Sequence, residues 1–343
     1  MPKSPTGNDR VREDDSSRVT SETDLVQTYL ASLTEGAPGA FGLTDDAALI
    51  AAQPGTDFVF STDPIIADVH FFSDDQPRDV AWKALAVNVS DIAAKGAKPV
   101  AYLMNLAFPE APRRVWMAEF ARGLAEAQAE FGCRLIGGDT DHTPGPLSIG
   151  ITMIGTLPSG TFVQRHGAQP GDHIFVTGTI GDAALGLALR RSPTLFQDVL
   201  TEGERDFLIG RYLRPGPRFA LGEALRNHAT AALDISDGFL KDLTRLAGTA
   251  GIALKFSAIP LSLPVRKALS TDRRVADAIL GGGDYELLAA VPSSKAAAFR
   301  ESARRLGIEI HEIGVLGGSR TALFGADGTE IEPRELGYDH FSS

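Results

Sequence analysis

Four short acidic segments hold the residues of this chain best suited to chemistry: Thr44-Asp45-Asp46, Ser61-Thr62-Asp63-Pro64, Gly137-Gly138-Asp139-Thr140 and Asp234-Ile235-Ser236-Asp237-Gly238. Taken singly, each has an ordinary structural explanation, because aspartate caps helices and stabilises turns. Their placement points further. Asp63, Asp139 and Asp234 each lie within a few residues of an apolar run, where the C-terminal end of a strand is expected. In open α/β sheets that edge is where ligands bind. Carboxylates gathered there would repel one another strongly unless cations lay between them. Asp91 adds a fifth position, on an expected helix whose other residues are almost all apolar, with Asn88 one turn earlier and Lys95 one turn later. Such a carboxylate is costly to bury unless paired or metal-bound. An Asp91–Lys95 ion pair at i,i+4 on an exposed edge is the plainer alternative.

This inventory suits Mg²⁺, which takes hard oxygen ligands and keeps waters and substrate phosphates in its shell. There is no His-Glu-x-x-His helix or cysteine cluster to favour zinc. The Walker glycine-lysine loop and the protein-kinase signatures are also missing, so an ATP user here needs another architecture. Gly178-Thr179-Ile180-Gly181 could touch phosphate, but short glycine-rich turns are common. A net charge of −11 argues against nucleic acid. Phosphorylated small molecules remain open to an acidic protein if metal cations bridge the two anions.

Several elements must position these groups. Residues 1–20 are polar and read as a disordered tail. Ser21 with Asp24 looks like a helix N-cap, followed by the apolar stripe Leu25, Val26, Tyr29 and Leu30. A short strand is expected after Asp46, and another at Phe58–Phe60. Residues 79–95 form a long apolar helix, and an amphipathic helix runs from Pro112 to a stop at Gly132. A strand Arg134-Leu135-Ile136 should lead into a loop at 137–140, then a long strand over 147–156. The Gly-, Pro- and Ser-rich stretch from Pro158 to Asp172 marks the expected boundary between a domain at 21–157 and another at 158–343. Beyond it come a strand at His173–Thr177, helices from Ala183 and Phe239, an apolar strand after Gly281–Glu286, and a hairpin-like turn at Ala326-Asp327-Gly328. The pattern is mixed α/β (α+β), in two halves. With 343 residues, 43% of them hydrophobic, both halves can bury a core. No signal peptide or bilayer-length apolar run is evident, and the lone Cys133 cannot form an internal disulfide, so the cytoplasm is expected.

At the level of motifs the chain resembles the thiamine-monophosphate kinase family, within the aminoimidazole-ribotide-synthetase-like superfamily. The motifs are Asp45-Asp46-Ala47-Ala48, Ser61-Thr62-Asp63 with His70-Phe71, Val87 to Ala94 around Asp91, Gly137-Gly138-Asp139-Thr140, Asp234 to Gly238, Asp284-Tyr285-Glu286-Leu287 and the terminal Gly337-Tyr338-Asp339-His340-Phe341. The resemblance implies a two-domain fold and several Mg²⁺ ions held by Asp45, Ser61, Thr62, Asp63, Asp91, Asp139, Asp234 and Asp237. It implies ATP contacts from Gly138, Asp139, Arg165 and Ser236, and contact of His70 with thiamine monophosphate. It further implies a homodimer paired through the N-terminal sheets, and direct in-line transfer of the γ-phosphoryl group to the substrate phosphate. Without the motif, His70 would read as a satisfied core residue. Three positions depart from the family pattern: Gly283 stands for a common acidic residue, Lys95 for a common methionine and Thr44 for a usual glycine. Aminoimidazole-ribotide synthetase and a non-catalytic nucleotide-binding subunit are the rival readings.

Overall fold

The computed structural model describes residues 17–272 and 275–331, so residues 1–16 of the expected tail and the terminal Gly337–Phe341 motif lie outside the described residues. Residues 17–20 are not part of a loose tail: Val19 is 7% exposed and its N–H donates to the Pro112 carbonyl at 3.0 Å. Ser21 then caps α1 (Glu22–Leu25), its hydroxyl accepting the Asp24 N–H, and helical turns continue to Thr34.

The first sheet holds β1 (Thr56–Ile66), β2 (Lys98–Phe108), β3 (Arg134–His142) and β4 (Ser148–Pro158), in the order β1-β4-β2-β3. The β1/β4 and β4/β2 pairs are antiparallel and β2/β3 is parallel. A parallel pair needs a crossover, and α3 (Arg114–Phe131) supplies it, ending at Gly132 with φ +72°. Beside α3 lies α2 (Pro77–Ala94), which starts at a proline suited to a first helical turn and buries 13 of its 18 residues. A helix apolar on all sides must be covered on all sides. The sheet and α3 cover one flank of α2, and the second domain covers another.

Two expectations fail in this half. No strand forms after Asp46, and the expected loop at Gly137–Thr140 is the continuation of β3, hydrogen-bonded along β2. Gly138 fits there because it has no side chain: a Cβ would sit 1.8 Å from the Met104 carbonyl oxygen. The sheet is therefore mixed, and neither Asp63 nor Asp139 is the last residue of its strand.

The second half opens with β5 (His173–Thr177), α4 (Asp182–Arg191), α5 (Glu202–Leu213), α6 (Gly222–His228), β6 (Ala231–Asp234) and α7 (Phe239–Ala247). It continues through β7 (Ala253–Lys255), α8 (Leu263–Thr271), α9 (Val275–Ile279), β8 (Leu287–Val291), α10 (Ser293–Arg305), β9 (Ile310–Val315), β10 (Ala322–Phe324) and β11 (Glu330–Ile331). Its main sheet, β6-β8-β5-β9, is antiparallel throughout, with one apolar core packed around α4 and α7 and another around α6 and α10. The turn at Ala326–Gly328 does join a hairpin, β10 to β11. Among the described residues no helix is long and apolar enough to cross a membrane.

Candidate functional site

Where α2 meets both β1 and β6, four carboxylates from the two halves converge. Asp63 lies on β1 and Asp91 on α2; Asp234 ends β6 and Asp237 follows in the loop before α7. Asp63 and Asp91 share a hydrogen bond, and the Ser61 hydroxyl donates to Asp91 Oδ2. Asn88, one turn earlier on α2, accepts the Asp63 N–H through Oδ1 at 2.9 Å and donates to the Asp63 carbonyl at 3.3 Å. The Ser90 hydroxyl donates to Asp234 Oδ2 at 2.7 Å. Three polar residues in the apolar C-terminal half of α2, Asn88, Ser90 and Asp91, thus take hold of β1 and β6 together.

The electrostatics register the crowding. Burial, reinforced by the neighbouring Asp91 charge, pushes the carboxyl of Asp63 up to about 7, and the same two causes push Asp234 up to about 7. Asp237 behaves oppositely. Burial would raise it, but Lys241 at 3.1 Å and Arg245 at 2.7 Å hold it below the ordinary carboxylate value.

Lys95 does not form the alternative surface pair with Asp91. Its ammonium donates to the Ala232 carbonyl at 2.9 Å, near Asp234. Its own carbonyl accepts the Val163 N–H, and the Gln164 carbonyl accepts the Ala232 N–H. These bonds lay the segment carrying Arg165 beside β6, close enough for Arg165 to act electrostatically on Lys95.

The loop of Ser236 and Asp237 is built by a residue that the sequence motifs do not include. One oxygen of Asp242, on α7, accepts the N–H groups of Ser236, Asp237 and Gly238 at 3.1, 3.0 and 3.1 Å, while its other oxygen meets Arg245 at 2.8 Å. An acid four residues beyond a glycine turn was the available signal, since anionic side chains commonly cap helix N-termini. The Asp284-Tyr285-Glu286 motif divides its labour. Asp284 accepts the Gly181 and Ala183 N–H groups at the start of α4, and Glu286 is clamped by Arg211 at 2.8 Å and Arg218 at 2.7 Å. Tyr285, between them at φ +52°, lies within electrostatic reach of all four converging carboxylates.

Asp45, Asp139 and Thr62 are placed elsewhere. Thr62 points to the other face of the sheet, bonded to Thr152 at 3.1 Å. Asp45 and Asp139 line a 760 Å³ cavity on that face, with Asp46, Gly138, Asn105 and Thr152. Pro64, Gly150, Asn105 and Asp139 lie side by side across the four strands. Three strand spacings, roughly 14 Å, therefore separate Asp139 from the Asp63 end of the row. His70 sits in the tight turn after β1, where its Nδ1 accepts the Ile66 N–H at 3.0 Å.

Among the described residues no group of three or more His, Cys, Asp or Glu side chains is arranged to hold a metal ion by itself. The converging acids still fit Mg²⁺. That ion is commonly held through one or two carboxylates plus substrate phosphates, and a cation among these acids would offset the like charge of Asp91 that adds to the rise of Asp63 and Asp234.

Comparison with known proteins settles the family. Residues 44–157 match the AIR synthase related protein, N-terminal domain, and residues 169–324 the corresponding C-terminal domain. A thiamine-monophosphate kinase of Caulobacter vibrioides is 37% identical over 328 residues, covering 93% of this chain and 91% of that protein. The chain belongs to the thiamine-monophosphate kinase family. Among solved structures, the thiamine-monophosphate kinase of Stenotrophomonas maltophilia aligns with a TM-score of 0.76 at 35% identity, over 84% of this chain and 91% of that one. "AaThiL complexed with AMPPCP and TMP" aligns at 0.72 and 30%, over 93% of this chain and 97% of that one. Gly283 is the position where the family resemblance leads one to expect an acidic residue. The glycine there has φ +94°, and an added Cβ would meet nothing nearer than the Ala183 Cβ at 3.9 Å, so backbone conformation disfavours a side chain while space does not.

Proposed function

We propose that this protein transfers the γ-phosphoryl group of ATP to thiamine monophosphate, giving thiamine diphosphate and ADP, in a Mg²⁺-dependent reaction in the cytoplasm. The observation that carries the reading is the convergence of Asp63, Asp91, Asp234 and Asp237 from both halves of the chain. Family membership and the AMPPCP- and TMP-bound relative support the choice of substrates.

Both reactants carry phosphate, so their approach is electrostatically opposed. Mg²⁺, when bound, would neutralise phosphate charge and polarise the γ-phosphoryl group. Asp63, Asp91, Asp234 and Asp237 would hold it, with Ser61 beside Asp91. The chain's own contribution is positioning: Asn88 and Ser90 fix β1 and β6 against α2, and Asp242 freezes the loop of Ser236 and Asp237. Arg165 and Ser236 are suited to the nucleotide and His70 to the acceptor phosphate. A phosphate monoester with a second pKa of about 6 is mostly deprotonated at neutral pH, so no strong general base is required.

Asp45, Thr62, Gly138 and Asp139 belong in this reading to the open face of the N-terminal sheet, where Phe60 is 65% and Leu103 36% exposed. Apolar side chains on an open sheet face suit pairing with a second copy, and a homodimer formed there would cover Asp45 and Asp139. Residues 21–157 would then supply the paired sheet and 158–343 the second half of the acidic site. Incubating the purified protein with ATP, Mg²⁺ and thiamine monophosphate, with and without chelator, tests the proposal by chromatography of thiamine diphosphate. No product with metal present, or full turnover in chelator, defeats it.

A further inference from the structure

His70 sits in a turn that both halves of the molecule grip. The turn closes on itself through Asp68 N–H to the Phe71 carbonyl at 2.7 Å and His70 N–H to the Ile66 carbonyl at 2.9 Å. Its outward-facing oxygen, the His70 carbonyl, takes two donors. Lys83, from α2, donates through Nζ at 3.1 Å, and Tyr212, from α5 of the other half, donates through its hydroxyl at 3.3 Å. The same ammonium lies 3.4 Å from the centre of the Tyr212 ring, a cation–π contact sheltered from water, since Lys83 is 6% exposed. The chain just beyond is gripped as well. Arg190, from α4, reaches Asp75 at 2.7 Å and Asp74 at 3.1 Å, and stacks over Phe72, whose ring meets that of Tyr212 edge-on at 6.1 Å.

A buried lysine is expensive, and burial pushes this one down to about 7, with Asp75 and Asp79 opposing the shift. An apolar residue would fill the same space more cheaply, so the ammonium is placed for what it holds. It holds the backbone of the turn. Because His70 Nδ1 accepts the Ile66 N–H, the neutral ring carries its proton on Nε2, and fixing the turn fixes the direction of that N–H.

We propose that Lys83 and Tyr212 are positioning residues for the acceptor substrate: joined across the two halves, they aim His70, so affinity for thiamine monophosphate depends on them and affinity for ATP does not. This rests on the reading that His70 meets the substrate phosphate. The test uses the full chain in steady-state phosphotransfer, comparing His70→Ala, Lys83→Met, Tyr212→Phe and the His70→Ala/Lys83→Met double variant. Lys83→Met keeps the apolar stem, and Tyr212→Phe keeps the ring. Lys83→Met should raise KM for thiamine monophosphate roughly tenfold, and Tyr212→Phe should do so by roughly threefold, with KM for ATP within about twofold of wild type. The double variant should be no worse than His70→Ala alone, since Lys83 acts through that residue.

If His70→Ala raises KM for thiamine monophosphate and the other two single variants do not, the positioning role is overturned. Additive losses in the double variant, or parallel rises for both substrates, overturn it equally. If His70→Ala itself changes nothing, the substrate reading beneath it falls instead. Should Lys83→Met fail to fold, as judged by thermal melting, Tyr212→Phe alone decides.

Discussion

Replacing Asp91 by asparagine should make the metal-free protein more stable and leave it inactive. Asp91 shares a hydrogen bond with Asp63 and stands among the causes that raise both Asp63 and Asp234. Two like charges about 4 Å apart, at the effective dielectric of about 20 that suits such sites, oppose each other by about 4 kcal/mol. Asp63 is open to solvent on one side, and protonation already relieves part of the repulsion, so the recoverable amount is about 1–3 kcal/mol. The amide is isosteric. Its oxygen can still accept the Ser61 hydroxyl and its NH₂ can donate to Asp63, so little is lost in exchange. At about 2–4 °C per kcal/mol for chains somewhat shorter than this one, the gain is a rise of a few degrees in Tm. Thermal melts in chelator, and again with saturating Mg²⁺ and a non-hydrolysable ATP analogue, should show opposite rankings. Asp91→Asn melts higher without metal, whereas wild type gains more when metal and nucleotide are added. Turnover should fall by about 10²-fold or more. A variant that melts lower in chelator, or that gains as much from metal as wild type does, would refute the idea that repulsion at a cation site is stored there.

Other expectations follow from the same contacts. Because Asp234 is raised to about 7, the native state keeps a proton that the unfolded chain has released above about pH 4. That stability is fully present below about pH 4 and is lost as pH climbs to about 7, so urea midpoints in chelator should fall between about pH 4 and about pH 7; a flat or rising profile would contradict it. Gly138→Ala should cost about 3 kcal/mol or more in thermal or chemical denaturation, since its Cβ would overlap the Met104 carbonyl. Asp242→Ala strands three backbone N–H groups and should cost about 3–5 kcal/mol, with faster proteolysis near Ser236 as the local readout. Phe60→Asp should halve the mass seen in analytical ultracentrifugation if the open sheet face pairs two copies; an unchanged mass places the interface elsewhere.

What could be read in advance was local. Ser21 and Gly132 announced the ends of their helices because caps act within a few residues. The burial of α2 was visible in its mostly apolar composition, although the partners of Lys83, Asn88 and Ser90 were not. The continuation of β3 through Gly137–Thr140 was not, because two glycines and an aspartate look like a turn until a neighbouring strand supplies their hydrogen bonds. Asp284 and Glu286 were visible as a motif, but their work depends on distant partners, the Gly181 and Ala183 N–H groups for Asp284 and Arg211 and Arg218 for Glu286. The partition of the acids is the deepest case. Strand order decides that Asp63 and Asp139 stand at opposite edges of the sheet, and no spacing in the chain encodes that order.

The partition also says where the molecule is under tension. Asp63 and Asp91 belong to one half, Asp234 and Asp237 to the other, so their mutual repulsion acts across the junction between the halves. Discrete bonds oppose it: Ser90 to Asp234 at 2.7 Å, Lys95 to Ala232 at 2.9 Å, Trp82 to the Pro215 carbonyl at 2.9 Å and Arg214 to Asp79 at 2.5 Å. All of their α2-side partners lie on α2 or at its C-cap, which makes that helix the common anchor. A cation bound among the acids would turn the repulsive part of the junction into an attractive one, and affinity for the ion must then rise with anything that docks the halves. The Lys83–Tyr212 contact crosses the same junction. On the proposed reading, occupation of the acidic cluster and the aim of His70 would be linked through one helix, although Lys83 and Asp91 stand two turns apart along it.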